Sequence, residues 1–258
     1  MCRIFYALNQ PQLKHKIEQF LMQSDHPPPK YVEFSQKEDL GTRLSGYGLA
    51  SFQEGKWKIF KTPRTYKTEP RTAEFIKETA KSPLVIGHIR DKVDEAIVSL
   101  ENTHPFQHEE HIFIQNGRIY DFQECKPAIV KKILPKYVEH ISGETDTEYI
   151  FYLLLSCIER KRGNTQDAFQ TWFRILSRVS NKYTANIVYA NATHSVITRK
   201  SHINRKKYPG ETIPVLSLFW NGPLERDCQI LITSEPIMRT YYPIQEGAIV
   251  IIPHAEYM

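Results

Sequence analysis

The amino-acid sequence predicts an α+β fold, a layered sandwich of antiparallel sheets and helices, and three observations predict it. Apolar runs of strand length are separated by turns too short to contain a crossover helix, which argues for antiparallel pairing. Two helical patterns lie together between residues 145 and 179 instead of alternating with single strands, which argues against a parallel α/β sheet. With 41% hydrophobic and 12% aromatic residues, the 258-residue chain can bury a sizeable core. It shows no internal repeat, low-complexity segment or linker, so residues 1–258 read as a single domain.

The elements follow in order. Residues 2–8 are a short apolar run rich in strand formers. Leu13, Ile17, Phe20 and Leu21 then recur at helical spacing until Pro27-Pro28-Pro29, which stops any helix. Residues 47–52 and 57–61 flank Glu54-Gly55 as a hairpin, and 84–90 is an apolar strand preceded by Pro83. Residues 111–122 carry a central Asn116-Gly117, the dipeptide that most readily takes positive φ, and a tight turn is expected there. From 145 to 161 the pattern is helical, with Ile150, Phe151, Leu153, Leu154 and Leu155 nearly continuous; a second, amphipathic helix covers 166–179. Strands are expected again at 184–190, 193–200, 212–219, 228–234 and 247–252, separated by turns containing Gly, Pro or Asn.

Composition excludes several classes of function. Cys2, Cys125, Cys157 and Cys228 are scattered, without the two-residue spacing that holds zinc or runs disulfide exchange, so no metal or redox site is expected. No stretch approaches the ~18 apolar residues of a membrane span, and residues 1–9 lack a basic segment leading into a signal-type core. A cytoplasmic protein with reduced thiols is the expectation. Thirty-four basic against twenty-nine acidic residues leave only +5, mostly interleaved, which does not imply nucleic acid. The dense basic run at 199–207, with Arg205, Lys206 and Lys207 adjacent, lacks alternating aromatics and reads as a solvated turn between strands.

A cysteine near a terminus is ordinarily a small core or surface residue. Cys2 differs by position: removal of Met1 would leave a thiol and a free α-amine on one residue. An amine with pKa ~7.7–8.0 is partly neutral near pH 7 and can accept the proton. Nucleophile and base then need no second side chain. Gly87-His88-Ile89-Arg90 ends an apolar strand. Arg90 either reaches solvent or grips a substrate carboxylate through two parallel hydrogen bonds, and His88 reads as structural. Residues 101–106, Glu-Asn-Thr-His-Pro-Phe around His104, form either an ordered turn or a substrate-lining loop. Asn116 and Gly117 offer a side-chain amide and a backbone N–H suited to an oxyanion. Residues 143–148 precede a long apolar helix: either Thr145 or Asp146 caps it with Glu148 in the first turn, or the Asp146 carboxylate pairs with a substrate ammonium.

In order and spacing, Met1-Cys2, Gly46-Tyr47-Gly48, His88-Ile89-Arg90, Asn102-Thr103-His104-Pro105, Asn116-Gly117 and Asp146-Thr147-Glu148 resemble the glutaminase domain of class-II glutamine amidotransferases, in the N-terminal nucleophile hydrolase superfamily. Val196-Ile197-Thr198-Arg199 and Thr233-Ser234-Glu235-Pro236 look like its small stand-alone branch, whose members include γ-glutamyl hydrolases acting on glutathione-like or ergothioneine-pathway compounds. The resemblance implies a four-layer αββα sandwich, Cys2 as nucleophile, Asn116 and Gly117 as oxyanion donors, and a γ-glutamyl substrate held by Arg90, Asp146 and the His104 loop. It implies no metal or organic cofactor. Possible partners are a separate synthase or peptidase subunit, with neither nucleic acid nor membrane involved. Two departures stand out: Asp91-Lys92-Val93 where the family commonly has Ala-Thr, and Gln115 where His often precedes Asn-Gly. They keep an inactive binding subunit in view as an alternative.

Overall fold

The N-terminal apolar run becomes β1 (Arg3–Leu8), buried at every position because it is a central strand. It lies between β4 (Leu84–Asp91) and β10 (Ile230–Thr233), antiparallel to both. The computed structural model describes residues 2–25, 44–91, 98–212, 218–221, 229–234 and 241–254. Within these, a seven-stranded sheet runs β11 (Tyr242–Pro243), β9 (Phe219–Trp220), β10, β1, β4, β2 (Leu44–Gln53), β3 (Lys56–Thr62). A five-stranded sheet runs β12 (Ile249–Pro253), β8 (His194–Ile203), β7 (Lys182–Ala190), β6 (His111–Ile119), β5 (Phe106–His108). Every pairing described is antiparallel.

Strand alternation sorts the apolar side chains into three layers of core. Ile4, Tyr6 and Leu8 of β1 meet Leu84 and Ile86 of β4, Ile112 and Ile114 of β6, and Val188 and Ala190 of β7 between the two sheets. The opposite faces of β1 and β4, through Phe5, Ala7, Val85 and Ile89, pack on α1 (Leu13–Met22) and Ile76 of α2 (Thr72–Thr79). The outer face of the second sheet, through Phe113, Ile187 and Tyr189, packs on α3 (Phe122–Val130), α5 (Asp146–Arg160) and α6 (Thr165–Val179). A short α4 (Pro135–Val138) precedes α5. Helix, sheet, sheet, helix is the αββα order expected. Each fully buried Ile or Leu contributes roughly 1.5–3 kcal/mol to this arrangement.

Local chemistry sets the element ends. Glu54 and Gly55 both take positive φ, 51° and 75°, the conformation a two-residue hairpin turn with the right twist requires. Asn164 caps α6 by accepting the Asp167 N–H at 3.0 Å. Trp172 of α6 is fully buried, and its indole N–H donates to the Ile150 carbonyl at 2.8 Å, fastening α6 to α5.

One expectation is corrected. Asn116-Gly117 is not a turn but the middle of β6, paired with Asn186 and Ala185 of β7. Glycine is needed at 117 for close approach: a Cβ there would collide with the Thr184 carbonyl oxygen. The strand expected at 193–200 continues to Ile203, carrying the first part of the basic run into β8. Arg199 there donates to the Ile244 carbonyl at 3.0 Å and lies 3.7 Å from Glu246, and Lys207 lies 3.7 Å from Glu124. Pro27-Pro28-Pro29, Lys92-Val93, Cys228 and much of the strand expected at 212–219 fall outside the described residues.

Candidate active site

The alternation that builds the inter-sheet core also builds the site. In β1 and β4 the even-numbered residues face the other sheet, and the same holds for 112 and 114 in β6 and for 230 and 232 in β10. Carried to the strand ends, that parity brings Cys2, His88, Arg90, Asn116 and Ser234 to one end of the layer. Arg3 pairs with Ile89, so the antiparallel register sets Cys2 beside Arg90.

The electrostatics follow from this placement. Cys2 as a residue is half-buried, and its thiol is enclosed enough that burial pushes its pKa up. The positive charges of Arg90 and Arg3 act against that rise, and Asp146 adds to it. Arg90 is buried, which lowers its pKa, and Cys2 opposes that shift. Burial raises the Asp146 carboxyl above its ordinary range, against the Ile119 and Thr147 amides, the Thr147 hydroxyl and the Arg118 charge. The Cys2 thiol thus feels both Arg90 and Asp146.

Asp146 is the first residue of α5, after Thr145 in extended conformation. Its Oδ2 accepts the Ile119 N–H at 2.6 Å, tying the helix start to the end of β6. The preceding loop is fixed by two further residues of the sequence motifs. Glu148 accepts from Ser142 N–H at 3.0 Å and from Gly143 N–H at 2.6 Å, and Asn102 Oδ1 accepts from Glu144 N–H at 3.0 Å. A Cβ at Gly143 would lie 2.5 Å from Asn102 Oδ1 and 2.9 Å from Glu148 Oε2, so the glycine permits this clasp. Glu148 and Asn102 thus position the loop that carries Asp146. Sequence reasoning gave Glu148 only a helix-start role, because the bond to Gly143 depends on the loop folding back.

Asn116 is buried and its Nδ2 donates to Ser234 Oγ at 3.2 Å. The same oxygen accepts the Ile4 N–H at 2.9 Å, which brings the Asn116 amide to the start of β1 and hence to Cys2. Ser234 entered the sequence analysis only as a family mark; nothing local signals that it bridges the two sheets.

His104 is buried, its Nδ1 2.9 Å from His88 Nδ1 and its ring edge-on to those of His88 and Phe106. His88, with pKa lowered to about 3, is held neutral chiefly by burial, against a hydrogen bond to the Gln115 backbone and with the Arg90 charge assisting. His104 is also pushed well down, first by burial and then by His88, Arg90 and Lys61. These rings form a neutral brace between β4, the 101–106 loop and β6, one residue from Asn116. Gly48 makes room for it, since a Cβ there would collide with the His104 carbonyl oxygen. Asp91 ends β4, but the rest of the Asp91-Lys92-Val93 departure lies outside the described residues. Among the described residues no group of three or more His, Cys, Asp or Glu could hold a metal ion, and no helix is long and apolar enough to cross a membrane.

A model of class-II glutamine amidotransferases matches residues 26–209, a span containing Arg90, His104, Asn116, Gly117 and Asp146 but not Cys2 or Ser234. The Saccharomyces cerevisiae protein named Probable glutamine amidotransferase DUG3 is 33% identical over 85 residues, 33% of this chain and 24% of that protein. A Haemophilus influenzae protein carrying the glutamine amidotransferase name is 28% identical over 154 residues, 57% of this chain and 49% of its own. The chain thus spans half or less of the length of these relatives. Among solved structures, the class-II domain protein of Silicibacter pomeroyi superposes with TM-score 0.60 at 15% identity, covering 97% of this chain and 94% of that one. Glutamine phosphoribosylpyrophosphate amidotransferase of Bacillus subtilis superposes with TM-score 0.61 at 16% identity, over 98% of this chain and 48% of that one. Identities this low speak for a shared fold alone, whereas the model match covers most of the sequence. The chain belongs to the class-II glutamine amidotransferases.

Proposed function

We propose that the chain hydrolyses a γ-glutamyl amide through a thioester on Cys2. The observation that carries this reading is the placement of Cys2 beside Arg90 by strand register, with Asn116 tied to the start of β1 through Ser234 and Asp146 tied to the end of β6. After removal of Met1, the Cys2 sulfur attacks the γ-carbonyl carbon and its proton passes to the α-amine. Asn116 Nδ2 and the Gly117 N–H stabilise the tetrahedral oxyanion. The amine returns the proton to the departing nitrogen as the C–N bond breaks. Water then attacks the thioester, releasing glutamate and restoring the thiol. Arg90 pairs with the α-carboxylate of the γ-glutamyl group and Asp146 with its α-ammonium. His88 and His104, neutral and buried, position the strand bearing Asn116, so His104 shapes the binding end from behind. Burial of the thiol favours S–H, which suits a mechanism in which proton removal accompanies attack.

Arg90 and Asp146 recognise groups common to every γ-glutamyl amide, so discrimination falls to the leaving-group side. We expect an extended compound such as glutathione or a γ-glutamyl dipeptide to be hydrolysed with higher kcat/KM than glutamine. A second reading draws on the Bacillus subtilis structure, where this sandwich accounts for only 48% of an amidotransferase chain: the protein would then supply ammonia to a separate synthase. Rates for glutamine, glutathione and a γ-glutamyl dipeptide under identical conditions decide between them. A clear preference for glutamine supports ammonia supply, and no turnover of any of the three by protein whose intact mass shows Met1 removed sinks hydrolysis altogether.

A further inference from the structure

We propose that Ser234 is a positioning residue for the oxyanion donor, holding the Asn116 amide at the angle where one of its two N–H groups faces the reacting carbonyl. The inference rests on the reading of Asn116 given above and adds to it a residue from the other sheet.

The Asn side chain ends in a torsion between tetrahedral and planar carbon, whose energy wells are broad. Packing against apolar neighbours alone leaves such an amide free to swing, and an oxyanion donor that swings loses the preorganisation on which its contribution depends. Here one Nδ2 hydrogen is committed to Ser234 Oγ at 3.2 Å. The planar geometry of the amide then sets the direction of the other.

Ser234 is itself anchored at two points. Its N–H donates to the Ile4 carbonyl at 3.1 Å, extending the β10–β1 ladder one step beyond the Phe5 to Thr233 pair. Its Oγ accepts the Ile4 N–H at 2.9 Å. Both strong acceptor directions of the hydroxyl oxygen are therefore occupied, one by the strand that leads to Cys2 and the other by the amide across the layer. A single oxygen relates nucleophile strand and oxyanion donor, and the sheets cannot slide past each other here without breaking one of these bonds.

The test uses Ser234→Ala and Ser234→Thr in the full chain. The side-chain amide signals of Asn116, identified by NMR as those missing from Asn116→Ala, should be protected from solvent exchange in the wild type and in Ser234→Thr. In Ser234→Ala they should exchange at least about tenfold faster, the effect of losing one hydrogen bond. With the most active γ-glutamyl substrate, Ser234→Ala should lower kcat about tenfold with KM within about twofold, Thr should restore it, and Ser234→Ala should add nothing in an Asn116→Ala background. Unchanged amide exchange overturns the proposal. So does a loss of kcat that persists undiminished in the Asn116→Ala background, since the serine would then act by another route. A wild type that hydrolyses no γ-glutamyl amide removes the proposed function, while amide exchange still decides the role of Ser234.

Discussion

The middle and the end of the inter-sheet layer are built from the same faces of the same strands, yet they do opposite things. In the middle, the side chains of Ile4, Ile86 and Ile114 are fully buried and meet apolar neighbours through dispersion. Two or four residues further along, the same parity presents Cys2, Arg90 and Asn116, whose energetics are those of charge and hydrogen bonding. The apolar part supplies stability; the polar part uses that rigidity to hold Cys2, Arg90 and Asn116, while Asp146 comes from the loop clasped by Asn102 and Glu148. The layer teaches that the candidate site is a continuation of the core in register, at the end where apolar residues give way to polar ones.

If the division is real, substitutions on the two sides should separate activity from stability. Cys2→Ala should reduce hydrolysis by about 10⁴-fold or more with little change in the thermal midpoint, as removal of a nucleophile does elsewhere; residual activity near the wild-type rate would sink the nucleophile assignment. Asn116→Ala should lower kcat by ~10²–10³ with KM much less affected. Ile86→Ala, two residues before His88 and four before Arg90 on the same face of β4, should do the reverse. Its stability loss should be about 2–5 kcal/mol in denaturant titrations, with kcat of the folded fraction near normal.

Two smaller effects sharpen the polar side. Arg90→Lys should raise KM by roughly tenfold or more, because one ammonium replaces a planar two-bond grip on the carboxylate. Equal effects of Arg90→Lys and Asn116→Ala on KM and kcat would mean their roles are wrongly divided. Asp146 should set an acid limb in kcat/KM. Burial raises its pKa, so the carboxylate needed for the substrate ammonium is present above that raised value and is lost as pH falls through it. The limb should therefore lie above the ordinary aspartate range near ~3.9, and Asp146→Asn should remove it. A limb that survives Asp146→Asn unchanged belongs to another group.

Much of this arrangement was legible in the chain. The strands at β1 and β4 and the helices α5 and α6 follow from apolar periodicity, and Glu54-Gly55 from turn chemistry. Elements whose local signal is masked were not: α3 contains Pro127, and β5 has only three residues, Phe106–His108. Asn116-Gly117 misled because the same dipeptide suits a tight turn and a strand approached closely by a neighbour; only the Thr184 carbonyl distinguishes them, and it lies 67 positions along the chain. The family motifs that contain Cys2, Arg90, Asn116 and Asp146 were readable from residue type and order, and the roles proposed for these four rest on that reading.

By itself, then, the sequence determined the layered sandwich, through alternation and helical spacing, and the family, through motifs that survive in a linear string. Tertiary structure alone decided which motifs meet. Asn102 and Glu148 join on the loop at Gly143, His88 meets His104, and Ser234 reaches Asn116 across the two sheets. Each of these contacts joins residues brought together by strand order and sheet packing. Pairing between distant segments is written in no local propensity, because its free energy appears only when both partners are buried in the same place.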